Sequence, residues 1–309
     1  MCLNKQVTLK GSLLVITAGI FWGFDGIVLT PNLHTLNVAY VVFMLHLLPT
    51  LVLTLVWGKK EIKNILKMNN KTIVLFLLIA LFGGALGTLS IVKALFLVNF
   101  QHLTIVTLLQ KLQPIFAIIL ASILLKEKIG KKFIAYGFLA LIGGYFLTFQ
   151  NTLPSMSSPN IIKGSFYAIL AAFSFGISTV LGKKALINCE FKTAVYVRYL
   201  FTTLILGIIV AINGGFLDFL SKTTFKHWVI FVIIGMTSGT TAIYLYYKGL
   251  RFIKASIATM CELSFPISAI IFDFIFNKKM LSLIQFISAG IMIFAIYMIN
   301  RDQNEKIEN

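Results

Sequence analysis

Apolar residues run along this chain in long windows separated by short links of charged and turn-forming residues. Ten windows stand out, at about 11–30, 37–57, 72–92, 101–125, 132–149, 163–182, 193–212, 226–247, 254–276 and 281–299. About 20 apolar residues, rising about 1.5 Å each, cross the roughly 30 Å hydrocarbon core of a bilayer. Lipid offers the backbone no hydrogen-bond partner, so an apolar window of this length closes its own bonds as a helix. The pattern therefore predicts an all-α integral membrane protein with ten transmembrane helices.

The fourth window breaks its own rule. Leu103 to Glu127 reads LTIVTLLQKLQPIFAIILASILLKE, with Gln110, Lys111, Gln113 and Pro114 near the middle. A Lys at that depth costs about 2.5–3.5 kcal/mol on insertion scales, and Pro114 removes a backbone donor. Such residues persist where they face protein or a water-filled path. The pattern returns in Ala255 to Lys279, where Glu262 stands four residues before Pro266 as Gln110 stands four before Pro114. Pro114 and Pro266 are the expected hinges.

That return is part of a wider repeat. Gly11-Ser12 and Gly23 recur as Gly164-Ser165 and Gly176, at an offset of 153 residues. Gly83 and Gly87 recur as Gly235 and Gly239, and Pro114 as Pro266, at an offset of 152. The joint lies at Pro154-Ser155-Met156-Ser157-Ser158-Pro159, giving expected repeats of 1–153 and 154–309. Five spans per copy is an odd number, so the second copy enters the membrane from the opposite side. Two inverted five-helix repeats suit alternating access around a site near the bilayer midplane.

Composition agrees: 58% of residues are hydrophobic and 12% charged, against about 25% charged in soluble proteins. The net charge of +17 sits in the links, where it sets topology and does not describe a nucleic-acid surface. With the N-terminus inside, 19 Lys and Arg fall in inside segments and six outside, with Lys111 and Arg198 inside spans. This predicts a multi-pass protein of the cytoplasmic (inner) membrane with both termini cytoplasmic. The first apolar run is long, carries Asp25 and lacks an A-x-A site, so it reads as a retained helix. Cys2, Cys189 and Cys261 match no metal or disulfide spacing. Metalloprotease, P-loop and hydrolase motifs are also missing, so no cofactor is expected.

Phe21-Trp22-Gly23, Tyr246-Tyr247-Lys248-Gly249-Leu250, and the segments PIFAIILASILLKEKI and ATMCELSFPISAII carry a resemblance spanning essentially the whole chain. The chain resembles EamA-type members of the drug/metabolite transporter superfamily. The resemblance implies ten helices in inverted repeats around a cavity lined mainly by helices one, three, four, six, eight and nine. Helices five and ten are implied to lie peripherally, and movement of small metabolites without ATP is the implied activity. The second copy departs from the first in holding Lys279 where the first holds Glu127, so a role for that acid does not carry over.

Depth sorts the candidate site residues. Lys111 lies about 15 Å from the outer start of its span and Glu262 about 12 Å from the inner start of its own. They share a level, so they either pair with each other or hold a substrate or coupling ion. Asp25, about 21 Å along span one, suits a cationic group or a proton. Trp22 lies too deep for an interfacial belt and suits stacking on a substrate. Gln110 and Tyr244 complete the expected substrate-binding set of Trp22, Asp25, Gln110, Lys111, Tyr244 and Glu262. Glu262, Asp25 and His46 are the coupling or proton candidates. Arg198 reads as a snorkelling residue and Asp273 as an interface residue. The function expected is secondary transport of a small metabolite, with an amino acid or related amphipathic compound as cargo. Protons, membrane lipid and a second copy of the chain are the other partners expected. An integral membrane enzyme using Asp25, His46 and Glu262, or a non-transporting scaffold, are the alternatives.

Overall fold

The computed structural model of the protein describes residues 5–99, 103–150, 159–213 and 216–308. The joint expected at 154–158 lies outside the described residues. Among the described residues, nine helices are long and apolar enough to cross a membrane. They are α1 (Gln6–Leu33), α2 (Val38–Leu66), α3 (Asn70–Leu97), α5 (Lys131–Phe149), α6 (Pro159–Ala185), α7 (Phe191–Ile212), α8 (Phe225–Leu250), α9 (Ala255–Asn277) and α10 (Leu283–Asp302). The tenth, α4, falls in two pieces, Leu103–Gln110 and Gln113–Leu124, each too short to cross alone.

The break in α4 sits at Lys111-Leu112, and α9 breaks at the matching place, Glu262-Leu263, between Ala255–Cys261 and Ser264–Asn277. Proline explains both. Pro114 and Pro266 have no N–H to return to residues 110 and 262, so the turn before each tightens instead. Ile115 N donates to Leu112 O at 3.0 Å and Phe265 N to Glu262 O at 2.9 Å, both three-residue bonds. Three further spans carry wide π-helical turns, at Asp25–Leu29, Ala80–Leu86 and Gly235–Thr241. Such turns concentrate at functional sites because they displace backbone carbonyls from the regular ladder. Helix starts are capped conventionally: Asn37 accepts from Ala39 N at 2.9 Å and Asn69 from Thr72 N at 2.8 Å.

Packing follows the repeat. α1 lies against α8 and α9, while α6, its counterpart, lies against α3 and α4. α2 pairs with α7, and α5 with α10. Two glycines show why the repeat keeps small residues at these crossings. A methyl group on Gly23 would collide with the Ser268 hydroxyl, and one on Gly176 would stand 3.0 Å from Phe116 Cβ. In lipid, helices hold together by close contact rather than by apolar burial, and small residues allow it. One end of the bundle is plugged by a buried cluster that includes Leu53, Tyr196, Tyr247, Leu250, Ile253 and Ile257.

Gly23→Val and Gly176→Val should each destabilise the bundle by about 1–3 kcal/mol through overpacking. Gly290→Val, where a Cβ meets nothing within 4 Å, should leave the melting temperature in detergent unchanged. Equal melting temperatures for all three would show that these crossings are not tight.

Candidate functional site: a central polar cavity

A cavity of about 420 Å³ occupies the middle of the bundle. It is bounded by the broken turns of α4 and α9 and by all three π-helical turns, through Gly26, Gly83 and Ser238 among others. α2 and α7 also contribute, through His46, Arg198 and Tyr199, and α5 and α10 through Thr148 and Gln285. α5 and α10 pack together, and beyond the peripheral place implied for them each sends a polar side chain to the wall.

Glu262 is the convergence point. Its carboxylate accepts from Gln113 Nε2 at 2.6 Å, Tyr246 OH at 2.9 Å and Thr179 Oγ1 at 3.5 Å. The Tyr246 and Thr179 hydroxyls also share a hydrogen bond at 2.7 Å. Four helices, α4, α6, α8 and α9, therefore meet at one carboxylate, placed there by the break in α9.

Asp25 forms a second cluster where α1 widens. It accepts from Thr30 Oγ1 at 2.7 Å and from Ser238 Oγ at 2.8 Å in the π turn of α8. Trp22 Nε1 donates to Ser238 O at 3.1 Å, and its ring lies 5.6 Å from that of Tyr246. Trp22 thus bridges the Asp25 and Glu262 clusters and presents an aromatic wall to the cavity.

Lys111 and Glu262 do not pair. Lys111 Nζ donates to Gly144 O at 3.0 Å and to Thr148 Oγ1 at 2.5 Å, both on α5. The reason is local: Gly144 has no side chain, so the lysine stem lies against it and the ammonium reaches the backbone carbonyl. Each of the two charges is solvated by dipoles of its own neighbours.

The other expected residues divide. Gln110, His46 and Pro266 line the cavity, whereas Pro114 is buried beside it. His46 Nδ1 bonds Val42 O at 2.8 Å, which leaves Nε2 as its other nitrogen, and its ring is 5.6 Å from Tyr199. Tyr244 is not at the cavity. Its ring stacks 5.2 Å from Phe191 and 5.9 Å from Trp57, while Tyr246 takes the cavity face. The π turn before it adds a residue to α8, so a facing read at regular helical period is shifted. Asp273 pairs with Lys279 at 3.0 Å at the cavity mouth.

Two residues acquire roles that their sequence positions did not suggest. Arg198 turns into the cavity, donating from Nη2 to Gly83 O at 3.1 Å, and does not snorkel. The signal was present: Arg198 and Thr202 stand 152 residues after His46 and Thr50, the repeat offset. Glu127 lies at the plugged end and caps the start of α9, accepting from Ala255 N at 2.8 Å, Ser256 N at 3.1 Å and Ser256 Oγ at 2.6 Å. Among the described residues no group of three or more His, Cys, Asp and Glu is arranged to hold a metal ion.

The sequence matches the EamA-like transporter family twice, over residues 9–149 and 162–301. The chain belongs to the EamA-like transporter family. It is therefore a membrane transporter, and not an enzyme. It is similar to the riboflavin transporter ImpX of Fusobacterium nucleatum subsp. nucleatum (strain ATCC 23726 / VPI 4351), 56% identical over 294 residues, which cover 95% of this chain and 98% of that one. A protein crystal structure shares the fold with a TM-score of 0.73 at 12% identity, over 93% of this chain and 96% of the other. The EamA-like repeat thus accounts for the matched breaks of α4 and α9 that bound the cavity.

Because Lys111 and Glu262 of this EamA-like transporter have separate partners, Lys111→Met and Glu262→Gln should change stability additively, within about 0.5 kcal/mol. Melting temperatures of the wild type, both single variants and the double variant check this. A Glu262→Gln shift that differs by more than about 1 kcal/mol between the wild type and the Lys111→Met background would restore the pair.

Proposed function

We propose that this transporter moves riboflavin, or a compound carrying the same tricyclic ring, by alternating access without ATP. The observation that carries the reading is the 56% identity to the riboflavin transporter over nearly the full length of both chains. The cavity supports it. Its volume of about 420 Å³ lies within the roughly 300–1,000 Å³ range of small-molecule sites. Trp22, Phe175, Tyr199, Tyr246 and Phe265 offer faces for a flat ring system. Asp25, Gln113, Lys111 and Thr148 offer acceptors and donors for an imide edge and a polyol chain. An amino acid, the cargo expected from the sequence, would leave most of these faces without contact.

The charge asymmetry of 19 inside against six outside supports a cytoplasmic-membrane location with both termini cytoplasmic. On that topology the mouth at Asp273, Lys279 and Gln285 faces outward and the plug faces the cytoplasm. Glu262 and Asp25 are the acids available for coupling to protons, since both line the path.

Vesicles containing the transporter should take up labelled riboflavin, with unlabelled riboflavin competing and free amino acids not. Trp22→Ala should weaken apparent affinity about tenfold, equivalent to about 1.4 kcal/mol, the scale of one lost aromatic stacking contact. Uptake of an amino acid but not riboflavin would replace the cargo. A reporter fused after Lys60 or Lys128 should lie in the cytoplasm and one at Ser157 outside. Cytoplasmic Ser157 would overturn the inverted topology.

A further inference from the structure

Arg198 is a cation at membrane depth with donors to spare. Its side chain is half-buried on the cavity wall, and α7 reaches that wall only here and at Tyr199. Of the five N–H donors of a guanidinium, one is fixed on Gly83 O at 3.1 Å and another on the Tyr247 side chain, whose ring centroid lies 5.7 Å from the guanidinium carbon, which leaves three. Among the described residues no carboxylate lies in ion-pair contact with Arg198, whereas Lys60 pairs with Glu190 and Lys279 with Asp273. Glu262 lines the same cavity, but its oxygens already accept from Gln113, Tyr246 and Thr179. Asp25 is likewise occupied by Thr30 and Ser238.

A half-buried cation on a cavity wall, with no carboxylate in direct contact, has donors that a ligand in the cavity can satisfy. Bracing Gly83 and Tyr247 takes two of the five donors, and the remaining three are more than that tie needs. The distinguishing property of Arg is its rigid fork, which meets two adjacent acceptors at once. A flavin ring has two such edges, N1 beside the C2 carbonyl and N5 beside the C4 carbonyl. The ribityl hydroxyls also accept, but on a chain that rotates and offers no fixed edge, and the dimethylbenzene end has no acceptor.

We infer that Arg198 is a specificity-determining substrate contact, whose fork reads one two-acceptor edge of the flavin ring while Gly83 O and Tyr247 hold it in place. This rests on the riboflavin reading above. It places the pyrimidine end of the ring near Arg198, and which edge is read decides the side on which the polyol lies.

The test uses the full-length transporter in proteoliposomes, with labelled riboflavin uptake competed by unlabelled riboflavin, 1-deazariboflavin and 5-deazariboflavin. Each deaza compound replaces one ring-nitrogen acceptor by C–H at nearly constant size. In the wild type one of the two should compete about 10- to 100-fold more weakly than riboflavin, the loss expected for a bond to a charged donor. In Arg198→Lys the gap between that compound and riboflavin should shrink to about twofold or less, with riboflavin itself weakened. Arg198→Gln, which keeps a donor for Gly83 O, should behave the same way and serves if the Lys variant does not fold. Equal competition by all three compounds in the wild type would overturn the assignment while leaving riboflavin as cargo. So would discrimination that survives in either variant. Absence of any riboflavin uptake by the wild type would overturn both.

Discussion

Lipid gives a charge at membrane depth no solvation, and this protein resolves that constraint by giving four of its deep charges separate sets of protein dipoles. Glu262 is surrounded by an amide and two hydroxyls, Asp25 by two hydroxyls, Lys111 by a carbonyl and a hydroxyl, and Arg198 by a carbonyl and an aromatic face. Neutral partners stabilise a charge without cancelling it. The cavity therefore keeps its fields available to a ligand, which a wall of internal ion pairs would have quenched.

The backbone is made to cooperate. Gly83 O and Ser238 O accept from Arg198 and Trp22 where α3 and α8 widen, and Gly144 O of the regular helix α5 accepts from Lys111 where its own residue has no side chain. The broken turns of α4 and α9 do the complementary job of placing Gln113 and Glu262 where the two repeats meet. Irregular backbone at this depth is tolerated because it lines a cavity inside the protein and is not exposed to lipid.

How much of this was legible follows from what each feature needs. The ten spans and the two breaks were written in the sequence, since lipid dictates window length and Pro114 and Pro266 forbid a continuous ladder. Trp22, Asp25 and Glu262 were legible by depth alone. Rotation about the helix axis was not. Where lipid and protein faces are both apolar, periodicity does not say which way Lys111 points, and it went to Gly144 rather than to Glu262. Tyr244 and Tyr246 exchanged places for the related reason that the π turn Gly235–Thr241 resets the facing of α8. Arg198 was hidden in plain view, its match to His46 lying at the offset already established by the glycines and prolines.

The repeat invites the idea that the inward and outward states are mirror images, each sealed by the same contacts used in exchanged roles. The seal seen here includes Glu127 capping the start of α9 through Ala255 and Ser256. Its repeat mate is Lys279, which donates to Asp273 and has no lone pair with which to receive a helix's free N–H groups. The acid that closes one end thus has no acidic counterpart at the other, and the symmetry of the repeat stops short of the contacts that close the bundle.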